Sequence, residues 1–202
     1  EIYVRSKNVE QQTIELSLPL HDASGTQIFT FHRFKYVLDF SGFNRLLRFC
    51  IDNVEVLCRG EGSGIILPPT GTGFHLRDCW INAPSDRGVT SHGTGCQGMM
   101  MDRCQFVSNE SASPVAQRKT IGCNLNANDV SIRQNRCRFF CHFAVIGGTG
   151  AVISDNQFFQ GDSGPVGPRT AILVMANADA RATITGNHIC DGSIEWTNER
   201  DP

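Results

Sequence analysis

No stretch of this chain comes near the roughly 18 consecutive apolar residues that a membrane-spanning helix requires, which argues against insertion into a bilayer. The opening residues, EIYVRSKNVEQQ, lack the charged-then-apolar layout of a signal peptide. Neither sign of charge dominates: 18 basic residues stand against 20 acidic ones, for a net charge of −2. General attraction to nucleic-acid phosphates or to an anionic membrane is thereby missing, and nucleic acid is not an expected partner. Runs of Ala and Leu and any sustained helical period are absent, while Gly reaches 20 and Phe 13, a composition that favours turns and strands. The nine cysteines are odd in number, and the closest two, Cys137 and Cys141, are separated by three residues, so paired metal-ligand spacing is missing. No metal and no cofactor are expected.

What the chain does have is a repeat. An apolar residue, a small or polar residue three places on, and an apolar residue two beyond recur as Ile51/Val54/Val56, Leu76/Cys79/Ile81, Met101/Cys104/Phe106, Ile132/Asn135/Cys137, Ile153/Asn156/Phe158 and Ile184/Asn187/Ile189, at steps of 25, 25, 31, 21 and 31. A unit of this size cannot bury an apolar face alone and must stack on its own copies. Strand formers dominate each unit, and no helical pattern lies between units, so the spacing predicts an all-β parallel β-helix of about six coils. The Leu-x-x-Leu-x-Leu framework of a leucine-rich repeat is missing. A second apolar strand fits between most units, at 64–69, 121–125, 143–148 and 171–176. With about 4.8 Å between stacked strands, six coils make a short rod.

Stacking turns the sequence into columns. The third-position column reads Val54, Cys79, Cys104, Asn135, Asn156, Asn187, and its asparagines are predicted to pass hydrogen bonds from amide to amide at an interior bend. Most cysteines are read as free thiols of the core. Beside the bend, Asp52, Arg77, Asp102 and Arg133 alternate in sign, as a device that sets register and contributes little energy. Glu55, Trp80, Gln105, Arg136, Gln157 and His188 form an outward column. Residues 1–48 lack the unit; TIELSL, QIFTF and FKYVLDF read as strands of an N-terminal cap, leaving 49–202 for the β-helix. The chain starts with Glu, and only DGSIEWTNERDP follows the last unit, so a piece of a longer protein is expected, with Trp196 as the alternative lid.

ISDNQF, ITGNHI and IRQNRC at the inner bend resemble the right-handed parallel β-helix of the pectin-lyase-like superfamily, which includes pectate lyases, polygalacturonases, epimerases and the tailspikes and tail fibres of phages and phage-derived particles. The resemblance covers about residues 49–190. It implies a polysaccharide bound along the side of the rod. The hydrolase motifs of that group, Asn-Thr-Asp, Asp-Asp, Gly-His-Gly and Arg-Ile-Lys, are not met: there are no adjacent aspartates, SHGTG at 91–95 shares only His92-Gly93, and SIRQ departs from the last motif.

The two 31-residue steps come from long connections at 107–119 and 160–169 that leave the coil at one corner, with RFFCHF almost loop-free between them. They predict a trough lined by Glu110, Arg118, Lys119, Arg138, His142, Asp162 and Arg169, in which Arg suits hydroxyls and acidic sugars. Glu110 and Asp162 are the candidate catalytic pair; Arg118, Lys119, Arg138, His142, Arg169 and Trp80 are candidate binding residues. The expected function is a non-catalytic tail-fibre or tailspike module that binds cell-surface polysaccharide as a homotrimer on a virion or phage-like tail. A polysaccharide lyase or glycoside hydrolase using the trough, possessed of a secreted location, and a structural spacer are the alternatives.

Overall fold

The computed structural model describes residues 4–8, 13–16, 35–43, 46–59, 62–91, 93, 95–113, 117–161, 170–175, 181–190 and 192–197. The chain divides into two units, Glu1–Arg33 and Phe34–Pro202. In the first, Val4–Asn8 and Thr13–Leu16 pair antiparallel with Lys7 opposite Ile14, the second strand being the predicted TIEL. QIFTF lies outside the described residues. The second unit begins its strands at Tyr36–Asp39, within the predicted FKYVLDF.

The second unit is an all-β parallel β-helix, and the described residues hold no α-helix. Three parallel sheets share its coils. The first has seven strands: Tyr36–Asp39, Ser63–Ile66, Arg87–Thr90, Ile121–Leu125, His142–Ile146, Thr170–Met175 and Ser193–Thr197. The second has six, Cys50–Asp52, His75–Arg77, Met100–Asp102, Ser131–Arg133, Ala151–Ser154 and Ala182–Thr185. The third also has six, Glu55–Leu57, Trp80–Asn82, Gln105–Val107, Arg136–Arg138, Gln157–Phe159 and His188–Cys190. Each repeat unit therefore spans two short strands and the bend between them.

Register follows the repeat residue for residue. Ile51, Leu76, Met101, Ile132, Ile153 and Ile184 are successive partners in the second sheet. Val56, Ile81, Phe106, Cys137, Phe158 and Ile189 are successive partners in the third. Most of these side chains are buried, because a strand of three residues facing out, in and out can present only its middle one to the core.

The bend is made by one left-handed residue per coil: Asn53, Asp78, Arg103, Gln134 and Asp155 have φ between 51° and 57°, and Gly186 has 64°. Asn, Asp and Gly adopt this conformation most readily; Arg103 and Gln134 are held in it by the stack. The next residue points inward. Asn156 donates Nδ2 hydrogens to Ile132 O (2.9 Å) and Asn187 Oδ1 (2.8 Å), and its own Oδ1 accepts from Asn135 N (2.9 Å) and Asn135 Nδ2 (3.0 Å). Asn135 continues the chain, giving to Met101 O and accepting from Cys104 N. Cys79 fills the same role with sulfur, its thiol donating to Ile51 O at 3.4 Å, the carbonyl equivalent to those the asparagines reach. Val54, at the first coil of the column, is exposed instead.

All nine cysteines are free, and six of them are buried. In the first sheet the coils come close enough to require glycine: a Cβ on Gly88 would lie 2.5 Å from Gly122 O and 3.0 Å from the Phe106 ring. Of the alternating charges, Arg77 pairs with Asp52 and Arg103 with Asp78 across adjacent coils. Asp102 takes His75 Nε2 at 2.9 Å.

Candidate functional site

Alternation leaves two outward columns on the third sheet. One is Glu55, Trp80, Gln105, Arg136, Gln157, His188; the other is Leu57, Asn82, Val107, Arg138, Phe159, Cys190. Over the last three coils they enclose a shallow depression of about 410 Å³, lined chiefly by Arg136, Arg138, Gln157, Phe159, His188 and Cys190, with Phe139 at its edge. Among the described residues, its lining carries two guanidinium groups and no carboxylate.

The aromatic edge is built by the turn that follows the sheet. Phe139, at φ 66°, meets Phe159 edge-to-face at 6.0 Å between ring centroids. Gly161, at φ 69°, lies against both rings, and a Cβ there would stand 2.8 Å from each. The arrangement presents an apolar ledge beside cationic and amide donors, which suits a ligand that is ring-shaped on one face and anionic or hydroxyl-rich on its rim. Within the depression His188 Nε2 and Cys190 Sγ lie 3.1 Å apart.

The described residues singled out from sequence lie in different surroundings. Arg138 lines the depression. Trp80 lies on the same face, two strand spacings or about 10 Å along the column from Arg136, and is 43 % exposed. Glu110 opens a 3₁₀ turn at Glu110–Ala112, and its carboxylate accepts from Lys119 N, Thr120 N and, at 2.6 Å, Thr120 Oγ1. It clasps its own loop because those backbone amides would otherwise be unpaired where the chain re-enters the first sheet.

Arg118, one of the candidate binding residues, is held inside the fold. It is 4 % exposed, and its guanidinium donates to Ser113 O (2.9 Å) and to Gln160 O. The arginine thereby ties Ser113, in the first long connection, to Gln160, where the second begins. Lys119 is exposed on the outside of this clasp. His142 is half-buried, with Nδ1 against Thr170 O at 2.6 Å. Asp162, Arg169 and His92 lie outside the described residues.

Phe139, Phe159 and Cys190 went unnoticed in the sequence as site residues. The signal was available for two of them: each lies two places beyond a member of the recognised outward column, and side chains two apart on a strand share a face. Phe139 follows no such rule, because it sits in a turn. Comparison with family models, curated proteins and solved structures finds no match to this chain, so the depression is interpreted from its own chemistry.

Proposed function

We propose that this chain is a non-catalytic β-helix module that binds an acidic polysaccharide along the outer face of its third sheet. We infer further that it belongs to the pectin-lyase-like group and serves as a homotrimeric tail-fibre or tailspike element on a phage-like particle. The observation that carries the reading is the depression: Arg136, Arg138, Gln157 and His188 supply donors, the Phe139–Phe159 ledge supplies an apolar platform, and none of the described lining residues is a carboxylate that would repel an anionic sugar. An extended polymer could continue along the column toward Trp80, whose exposed indole offers a second stacking surface. Binding is favoured over turnover because Glu110, the one described member of the candidate catalytic pair, is committed to its own loop.

The test is calorimetric titration with size-graded uronic-acid oligosaccharides and their neutral counterparts. Acidic oligomers should bind more tightly, and the double variant Arg136→Gln/Arg138→Gln should weaken them about tenfold or more while leaving the neutral ones little changed. Equal affinity in the folded double variant would remove the depression from the reading. Light scattering decides the assembly: a stable monomer at micromolar concentration would discard the fibre.

A further inference from the structure

Among the described residues, Cys190 is the one thiol within hydrogen-bond distance of an imidazole, and that pair sits in the depression. The contact is short for sulfur, 3.1 Å from Sγ to His188 Nε2, and results from a simple strand rule: His188 and Cys190 are two apart and project from the same face. Both reach solvent, His188 being exposed and Cys190 partly so. Arg136 stands two coils back in the column of His188, and Arg138 two coils back in the column of Cys190. Reactive cysteines occupy surroundings of this kind: partly open, next to a base and positive in charge.

The other thiols provide the contrast. Cys58, Cys79, Cys96, Cys104, Cys123 and Cys137 are buried. Cys141 is partly buried, and its thiol is pushed up, first by burial and then by the Glu110 charge. Cys50 is exposed beside His75 in register, but His75 Nε2 is taken by Asp102. Cys50 therefore serves as an internal reference for an accessible thiol without the same base.

We propose that Cys190 and His188 form a thiol–disulfide exchange site for small anionic disulfides, of which oxidised glutathione is the test compound. His188 Nε2 takes the proton from the Cys190 thiol. The sulfur then attacks one sulfur of the bound disulfide; the S–S bond of the small molecule breaks as the bond to Cys190 forms. The departing thiolate leaves with the electron pair and recovers the proton from the imidazolium. Cys190 is oxidised to the mixed disulfide and one equivalent of small thiol is released, so atoms and electrons balance without another reactant. Carboxylates of the disulfide would face Arg136 and Arg138, and a depression of about 410 Å³ falls within the size range of small-ligand sites. The inference does not rest on saccharide binding.

The experiment incubates the whole chain with oxidised glutathione, or with neutral hydroxyethyl disulfide, and follows each cysteine by peptide mass spectrometry. Cys190 should be modified at least about tenfold faster than Cys50. His188→Gln should bring Cys190 down to the Cys50 rate, with His188→Asn as the second variant. Arg136→Gln/Arg138→Gln should slow glutathione more than hydroxyethyl disulfide. A wild-type Cys190 no faster than Cys50 would overturn the proposal, as would unchanged Cys190 reactivity in a histidine variant that keeps its thermal midpoint. Neither result would bear on whether acidic oligosaccharides bind.

Discussion

Replacing Asn156 by alanine tests the column on which the coil depends. The side chain is 2 % exposed and takes part in four hydrogen bonds, two given and two accepted. Alanine leaves three neighbouring groups without that partner: the Asn135 N–H, one Asn135 Nδ2 hydrogen and the Ile132 carbonyl. Asn187 Oδ1 fares better, since it still accepts from Asn156 N. A buried polar group stripped of its partner costs about 1–3 kcal/mol, and a water entering the vacated space would recover part of this, so the loss should be about 3–5 kcal/mol. Asn187→Ala should cost less, because Asn187 is only half-buried. Urea unfolding of both variants, with the slope checked for constancy, gives the comparison. A loss below about 1 kcal/mol for Asn156→Ala, or a larger loss for Asn187→Ala, would refute the idea that ladder bonds hold the bend.

Gly88→Ala should destabilise by about 1–3 kcal/mol, since the new methyl meets the Gly122 carbonyl and the Phe106 ring; a midpoint equal to wild type would show that the first sheet can spread. Alkaline pH should weaken the fold: burial pushes the Cys58 thiol up to about 11 and raises Cys123 and Cys137 as well, so the folded state retains protons that the unfolded chain loses. The sign follows: stability is fully present below the ordinary thiol value of 9.0 and falls as pH rises through the folded-state values. Urea midpoints from about pH 8 to 10.5 should decline, and less steeply in Cys123→Ala; parallel slopes would disprove the thiol contribution. Asp78→Asn should change stability little and reduce its salt dependence. Hydrogen bonding to Arg103 holds the Asp78 carboxyl below its ordinary value, so the pair acts above the unfolded-state pKa and is lost as pH falls through the folded one.

The interior was legible because stacking repeats it. Ile132, Ile153 and Ile184 could be placed opposite one another from spacing alone, and so could Asn135, Asn156 and Asn187. The same reading found the strands at Ile121–Leu125 and Thr170–Met175, whose apolar runs stand out, and missed Arg87–Thr90, where RGVT carries an arginine and a glycine. That strand exists because its neighbours pair with it on both sides, a tertiary cause that local composition does not record. The fate of Glu110 and Arg118 was hidden for a related reason. Their partners are backbone groups of irregular loops, and no period links a carboxylate at 110 to amides at 119 and 120. The salt bridges fell between these extremes: adjacent coils gave Asp52–Arg77 and Asp78–Arg103, while Asp102 chose the diagonal His75.

A coil constrains the two sides of each strand unequally, and the freer side is the one on which a binding surface can be built. An inward residue must match its neighbours above and below in volume and polarity, so Val56, Ile81, Phe106, Cys137, Phe158 and Ile189 vary only within the apolar set. Outward residues meet water and need match little, so their chemistry is free to change from coil to coil. Along one outward column it passes from Glu55 and Trp80 to Arg136, Gln157 and His188; along the other, from Leu57 and Asn82 to Arg138, Phe159 and Cys190. Both columns gain an arginine at the same coil, Arg136 and Arg138, and end on His188 and Cys190, although nothing in coil packing requires it. Two independently varying columns that converge on one depression are what the proposed binding reading expects of the outer face. Exchanging the outward pairs at 136/138 and 55/57 should therefore move anion binding without moving the unfolding midpoint, and a joint loss of both would show that the outer face belongs to the fold after all.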